Sequence, residues 1–173
     1  MSSGLTGMDA AGDTAMYLDS CIFVKLLTPE PDSVMFSQYC SGQVLHTSEL
    51  ALAEVFAALL AKERADKIPK QLRERAWERF QSWVARGTIS LVPLNRTALS
   101  KASSVLDQCH PLMGLRTLDA IHVGSVDLCQ RFPLVTTDDR MRQAAPPAGV
   151  RDLPGRTSEQ LISPSPFSHA RRN

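Results

Sequence analysis

The sequence lacks several features that would narrow its function at once. None of its four cysteines stands in a C-x-x-C pair, so the usual sequence sign of a zinc knuckle is missing. Lysine and arginine total 19 against 18 acidic residues, which leaves a net charge of +1 instead of the basic excess of a dedicated duplex-DNA-binding protein. This balance still allows an enzyme that acts on nucleic acid, because acids clustered at one site offset basic residues elsewhere.

Long hydrophobic runs are also missing. No apolar run approaches the roughly 20 residues that cross a bilayer, and the N-terminal segment has neither the basic nor the apolar part of a signal peptide. We therefore expect a cytoplasmic protein with no membrane partner. A length of 173 residues fits one domain, which we predict to span residues 15–153, with flexible tails at residues 1–14 and 154–173.

Short apolar segments alternate with helical ones along the chain. Ser48 and Thr117 are predicted N-caps, and Pro69 suits a first helical turn. The pattern predicts strands at residues 15–18, 44–47, 88–94, 134–137 and 150–153, and helices at residues 20–27, 33–40, 49–65, 69–86, 97–109 and 118–129, with a last short helix ending near residue 145. Such alternation is typical of an α/β fold with a mainly parallel sheet.

Four acidic residues stand where such a fold brings side chains together. Asp19 directly follows the first predicted strand, and Asp138 directly follows the strand at residues 134–137. The carboxyl ends of parallel strands share one edge of the sheet, where ligands bind in open α/β folds. Glu54 and Asp119 interrupt otherwise apolar helices, where a carboxylate is costly unless it is paired or bound to a metal.

Each acid also has an ordinary structural explanation. Asp19 and Asp138 would cap helices, Asp119 would occupy a favourable first helical turn, and Glu54 would lie on a solvated face. Considered together, the four carboxylates match the several oxygen ligands that Mg²⁺ or Mn²⁺ requires. The set therefore predicts a metal site at the sheet edge.

Four segments of the chain resemble the successive motifs of PIN domains, in particular those of the VapC toxins of bacterial toxin–antitoxin pairs. They are residues 17–20, 47–55, 115–122 and 134–138, with the sequences YLDS, TSELALAEV, LRTLDAIH and LVTTD. Each motif alone is weak, but their order, their spacing and the string LRTLDAIH make the combination specific. The likeness extends over nearly all of residues 15–153.

The resemblance implies a three-layer α/β/α domain in which Asp19, Glu54, Asp119 and Asp138 are the catalytic, metal-binding acids. It also implies Mg²⁺ or Mn²⁺ as cofactor and endonucleolytic hydrolysis of RNA by metal-activated water. A homodimer is implied, as is a cognate antitoxin protein that occupies the site.

Two features depart from the family pattern or blur it. The small hydroxyl residue common two places after the first aspartate is Cys21 here, a change that removes no expected metal ligand. Asp139 makes the identity of the fourth acid ambiguous, and the register of the T-x-D pattern favours Asp138, with Thr136 as the supporting hydroxyl. Ser20 is predicted to support Asp19 and not to act as a nucleophile, because no serine–histidine pairing is evident.

His122 lies three residues after Asp119, on the same flank of the predicted helix. We interpret it as a buried structural histidine because its neighbours are apolar, with support of the site as the alternative. Arg116, Lys25 and Arg140 lie close to the acids in sequence. Each would either contact RNA phosphates or remain a solvated surface charge.

An apolar stripe runs along the helix at residues 69–86. Its members, Leu72, Ala76, Phe80 and Trp83, are predicted to pack into the core. The alternative is that part of this helix, together with Phe56 and Leu60, forms a groove for an antitoxin segment.

Other functions fit the sequence less well. A response-regulator domain needs an acidic pair after its first strand and a lysine after its last, and a haloacid-dehalogenase phosphatase needs D-x-D where this chain has Asp19-Ser20-Cys21. A PIN scaffold that only binds is the remaining alternative, and the presence of all four acids disfavours it. No motif specifies which RNA would be cleaved.

Overall fold

The computed structural model describes residues 15–145, so the two predicted tails and the strand predicted at residues 150–153 lie outside the described part of the chain. Its elements in chain order are β1 (Ala15–Leu18), α1 (Ser20–Leu27), α2 (Ser33–Cys40), β2 (Val44–Ser48), α3 (Leu50–Arg64), α4 (Lys70–Ala85), β3 (Ile89–Val92), α5 (Arg96–Cys109), α6 (Thr117–Cys129), β4 (Leu134–Val135) and α7 (Asp139–Ala144).

The strands form one sheet in the order β3-β2-β1-β4. Every neighbouring pair is parallel, as the apolar strands separated by helices predicted. The chain builds outward from β1 through β2 to β3 and then returns to the other side of β1 with β4. The carboxyl ends of β1 and β4 therefore flank the switch point of the sheet, where open α/β folds place their ligands.

The side chains of β1 alternate between two hydrophobic cores, as the two-residue period of a strand requires. Met16 and Leu18 pack in a core that also contains residues of α1 to α4. Tyr17 faces the opposite way, into a core formed with α5, α6 and α7. Helices thus cover both faces of the sheet, which confirms the three-layer α/β/α fold.

The predicted stripe of α4 belongs to the first core. Ala76 and Phe80 are buried, while Leu72 and Trp83 are half-buried against the same cluster. The ring of Phe80 also stacks on Trp77, with 5.8 Å between ring centroids. The core interpretation of the stripe is confirmed.

Among residues 15–145, no helix is long and apolar enough to cross a membrane.

The predicted helix caps are wrong in detail. Ser48 is the last residue of β2, although its hydroxyl still accepts a hydrogen bond from the Leu50 N–H at 3.2 Å. Thr117 is the first residue of α6, and Arg116 takes the N-cap position. The sequence analysis missed Asn95 as a cap. Its side chain accepts a hydrogen bond from the backbone N–H of Ala98 in the first turn of α5.

Candidate active site at the carboxyl edge of the sheet

The four acids reach the switch point of the sheet from both faces. The backbone N–H of Asp19 donates to Val135 O at 3.0 Å, so the ends of β1 and β4 are joined where Asp19 begins. Asp119 comes from the first turn of α6, and Glu54 from the second turn of α3. Since α3 and α6 pack into different cores, the site is assembled from both helical layers.

Asp19 is buried, with 8% of its surface exposed. It stands at the N-cap position of α1, yet its side chain makes no capping hydrogen bond within the described residues. Its Oδ2 instead accepts a hydrogen bond from the Thr136 hydroxyl at 2.8 Å. The cap explanation therefore does not account for Asp19, whose Oδ1 lies 3.8 Å from His122 Nε2.

Thr136 joins two of the acidic positions from a fully buried place after β4. While its hydroxyl donates to Asp19, the same oxygen accepts a hydrogen bond from the Asp138 backbone N–H at 3.0 Å. Thr136, the supporting hydroxyl predicted from the T-x-D pattern, thus donates to the Asp19 carboxylate. Its contact with Asp138 is to the backbone N–H of Asp138 and not to the side chain. Sequence register alone did not distinguish these two partners.

Glu54 is held through a single carboxylate oxygen. Its Oε2 accepts from the Ser20 hydroxyl at 2.5 Å and lies 2.7 Å from His122 Nε2. Burial alone would raise the pKa of this carboxyl, but the hydrogen bond and charge interaction with His122, together with the Ser20 hydrogen bond, outweigh burial and lower the pKa. Glu54 is therefore ionised near neutral pH and is not a solvated residue on an outer face.

The same contacts correct the predicted role of Ser20. It was expected to support Asp19, its neighbour in sequence, whereas its hydroxyl donates to Glu54 on a different helix. Adjacent residues on a helix point in directions about 100° apart, so Ser20 reaches Glu54 instead of the carboxylate of its neighbour Asp19.

The Asp119 carboxyl is affected by its own burial and by the charges of neighbouring acids. Burial raises the pKa of its carboxyl, Asp138 raises it further, Arg116 lowers it, and Asp19 adds a smaller increase. Its Oδ2 is buried and finds no hydrogen-bond partner among residues 15–145. A first-turn location is favourable for an anion, but it leaves this oxygen unsatisfied.

Asp138 is a genuine helix cap. Its Oδ1 accepts from the backbone N–H groups of Arg140 and Met141, at 2.8 Å and 3.2 Å. Its charge raises the pKa of Asp119, so these two carboxylates lie near each other. Asp139 has a side chain that is 66% exposed and lies 3.5 Å from an Arg142 nitrogen. Of these two neighbours, Asp138 is the one turned toward the cluster.

His122 lies inside the acidic cluster, with 1% of its surface exposed. Its Nδ1 is 2.9 Å from the hydroxyl of Tyr17, and its Nε2 faces Glu54. It is buried, as predicted from its apolar neighbours, but the favoured reading as a purely structural residue is too narrow. Sequence reasoning missed Tyr17 altogether, although a tyrosine inside a buried strand next to a candidate site residue was an available signal.

Cys21 replaces the family's hydroxyl residue at the edge of this site. Its sulfur lies 3.4 Å from the Thr137 hydroxyl and 3.9 Å from that of Thr136. Burial, and then the charge of the nearby Asp19, raise the pKa of the thiol to about 12. The thiol therefore stays protonated and fills space without adding a negative charge to the cluster.

The three basic residues considered from sequence have different surroundings. Lys25 is partly buried and forms ion pairs with Glu30 and Asp32, at 2.8 Å and 2.9 Å. Its ammonium group is therefore occupied by these ion pairs and is not available to bind an RNA phosphate. Arg116 and Arg140 are exposed, each within three residues of a site aspartate.

This fold and site agree with comparisons to known proteins. Residues 16–146 match the family model described as PIN domain. Because that match covers most of the chain, the protein belongs to the PIN domain family.

Curated relatives extend the comparison. Ribonuclease VapC46 of Mycobacterium tuberculosis (strain ATCC 25618 / H37Rv) is 36% identical over 143 residues, covering 79% of this chain and 94% of the relative. Ribonuclease VapC45 of Mycobacterium tuberculosis (strain CDC 1551 / Oshkosh) is 34% identical over 145 residues, covering 80% of this chain and 94% of the relative. Ribonuclease VapC49 from strain H37Rv matches to the same extent. Within the PIN domain family, the chain therefore belongs with the VapC proteins.

Proposed function

We propose that this protein is a metal-dependent endoribonuclease that acts as the toxin of a toxin–antitoxin pair. The observation that carries the proposal is the cluster of Asp19, Glu54, Asp119 and Asp138 at the carboxyl edge of the sheet. RNA is the proposed substrate because relatives covering most of this chain are named ribonucleases.

The residues present fit Mg²⁺ or Mn²⁺. The site offers carboxylate oxygens, which hard divalent cations prefer, and the buried Asp119 Oδ2 needs a partner. Mutual repulsion among Asp119, Asp138 and Asp19 would be relieved by a cation. Carboxylate oxygens of Asp19 and Glu54 lie within 4.8 Å of each other, a separation compatible with oxygens that face one cation and its bound water.

In this proposal Asp19, Asp119 and Asp138 hold the cation, and Glu54 acts on the attacking water. When bound, the cation would acidify water and stabilise negative charge on the phosphoryl oxygens. The ionised Glu54 orients water through Oε1, the oxygen that Ser20 and His122 do not occupy, and accepts its proton.

The reaction needs no covalent intermediate with the protein. The water oxygen bonds to phosphorus, the bond from phosphorus to one bridging oxygen breaks, and the leaving oxygen takes a proton from solvent. Ser20 is not the nucleophile in this scheme, because its hydroxyl proton is donated to Glu54.

Substrate and partner contacts form the second part of the proposal. Arg116 and Arg140 are exposed close to Asp119 and Asp138, so they are suited to hold RNA phosphates beside the acids. We also propose a cognate antitoxin that covers this edge and a homodimeric toxin, and the likeness to VapC proteins supports both.

Cleavage of RNA by the purified protein, freed of any antitoxin, tests this function. We expect cleavage of total cellular RNA with Mg²⁺ or Mn²⁺, and no cleavage with excess chelator. Asp19→Asn should abolish cleavage while circular dichroism shows the same fold. Cleavage that persists in chelator would contradict the metal mechanism, and mapping the cleaved ends would identify the target.

Two neighbouring variants provide a matched pair. Asp138→Asn keeps an oxygen that can cap α7, so it should fold but lose most activity. Asp139→Asn removes an equal charge from a solvated position and should stay active.

Calorimetric titration with Mn²⁺ addresses the alternative of a scaffold that only binds, since such a site should bind the ion poorly.

A further inference from the structure

Two buried polar side chains lie behind Glu54. Tyr17 on β1 is 0% exposed, and His122 on α6 is 1% exposed. A hydroxyl or imidazole buried this deeply is costly unless its hydrogen bonds are made inside the protein. The Tyr17 hydroxyl lies 2.9 Å from His122 Nδ1, and the two rings meet edge to face with centroids 5.9 Å apart. Their arrangement therefore orients the imidazole from the side opposite Glu54.

The partners on either side of the imidazole decide which nitrogen carries the proton. Glu54 Oε2 accepts the Ser20 hydroxyl and lies 2.7 Å from Nε2, so this carboxylate oxygen is the acceptor of both contacts. Nε2 must then be the protonated nitrogen. In a neutral ring Nδ1 is the acceptor, and the Tyr17 hydroxyl is the donor that faces it. The Tyr17 hydroxyl thus favours the tautomer of His122 in which Nε2–H donates to Glu54.

Ser20 completes the arrangement from α1. Its hydroxyl donates to the same oxygen, Glu54 Oε2, and lies 3.4 Å from His122 Nε2. Two donors from two helices therefore occupy one carboxylate oxygen and fix the rotation of the carboxylate about its own bond. The remaining oxygen, Oε1, is left for a cation or a water.

We propose that Tyr17 and His122 are positioning residues that, together with Ser20, hold Glu54 by Oε2 so that it acts through Oε1. This inference rests on the proposed ribonuclease function and deepens it. None of the three donors need contact RNA or a cation for this role. Their effect on the reaction is carried entirely by the orientation of Glu54.

A graded set of variants separates positioning from mere support of the fold. His122→Gln keeps an N–H that can reach Glu54, whereas His122→Leu fills the space without a donor. Tyr17→Phe removes only the hydroxyl, and Tyr39→Phe on α2, outside the acidic cluster, is the control for loss of a tyrosine hydroxyl.

We expect His122→Leu to lower kcat by about 10-fold to 100-fold, the usual effect of removing a group that orients a site residue. His122→Gln should recover much of that loss, and Tyr17→Phe should lower kcat by a smaller factor. KM for RNA should stay within about twofold, because ground-state binding is not altered. Equal activity of the Leu and Gln variants, or a loss expressed mainly in KM, would overturn the positioning role.

Nitrogen NMR of the imidazole provides a readout that does not depend on activity. In the metal-free protein, at a pH where the imidazole is neutral, we expect His122 to be protonated on Nε2 and not on Nδ1, and Tyr17→Phe to disturb that preference. Protonation on Nδ1 alone, with Nε2 bare, would refute the inference and would instead make His122 a ligand. If the wild-type protein cleaves no RNA under any metal condition, the proposed function fails, while the NMR result still decides the position of the proton.

Discussion

Thr136→Val is a sharp test of how the acidic site is held. Valine has nearly the shape of threonine, so the substitution removes a hydroxyl without opening a cavity. In the wild type this hydroxyl donates to Asp19 Oδ2 at 2.8 Å and accepts from the Asp138 N–H at 3.0 Å. The variant leaves a buried carboxylate oxygen and a backbone N–H without their partner.

The expected loss of stability follows from these two contacts. A hydrogen bond to a charged group contributes about 1.5–3 kcal/mol, and one between neutral groups about 0.5–1.5 kcal/mol. Their loss should lower the free energy of unfolding by roughly 2–4 kcal/mol. Because Asp19 would no longer be oriented, RNA cleavage should also fall by about 10-fold to 100-fold.

Urea denaturation of the metal-free protein, followed by tryptophan fluorescence, measures the first effect, and cleavage at saturating metal measures the second. Thr28→Val is the matched control. The Thr28 hydroxyl is equally enclosed but donates to the Val24 carbonyl at 2.8 Å, at the opposite end of α1 from Asp19. This control should lose only about 1 kcal/mol of stability and no activity. If Thr136→Val is no less stable than Thr28→Val and cleaves RNA normally, the reasoning about Asp19 is wrong.

Two further predictions follow from the surroundings of Asp119 and Gly124. Burial and the nearby acids raise the pKa of Asp119, so its contribution to stability is present below pH 3.8 and is lost as the pH rises through its raised pKa. Asp119→Asn should therefore raise the urea midpoint of the metal-free protein at pH 7 but not below pH 3.8, and an unchanged midpoint at pH 7 would count against the repulsion. A Cβ added at Gly124 would lie 3.1 Å from the Ala102 backbone nitrogen, where α5 crosses α6. Gly124→Ala should cost about 1–2 kcal/mol, because overpacking exceeds the roughly 1 kcal/mol gained in helix propensity, and a higher melting temperature would contradict this.

The layers of the fold could be predicted because each strand or helix has its own pattern of apolar residues in the sequence. Apolar runs such as β1 and the stripe of α4 reflect burial directly, so their positions in the chain were correct within a few residues. The helix caps were less predictable. A serine before a helix can bond to several nearby N–H groups, and Ser48 bonds to Leu50 while remaining part of β2.

That the candidate acids lie near one another could be predicted, but their hydrogen-bond partners could not. Asp19 and Asp138 could be placed together because parallel strands share a carboxyl edge. Contacts between the helical layers could not be predicted in this way. Glu54 and His122 come from opposite faces of the sheet and meet only because both side chains reach past the strand ends. The predicted partner of Ser20 was wrong for the same reason, because sequence adjacency suggested Asp19 whereas the hydroxyl donates to Glu54 on another helix.

The contacts of the four carboxylates also explain how a cluster of like charges persists in a folded protein. Asp19 has one oxygen bound by the Thr136 hydroxyl, Glu54 has one bound by Ser20 and His122, and Asp138 has one bound by two backbone N–H groups. In each of these three residues, hydrogen bonds from the protein stabilise one carboxylate oxygen, which lowers the free-energy cost of burial. The second oxygen remains available for another ligand. Asp119 differs in that its Oδ2 is buried without a hydrogen-bond donor among residues 15–145, and burial and the neighbouring acids raise the pKa of its carboxyl. A cation bound beside Asp119, as proposed above, would relieve this electrostatic cost.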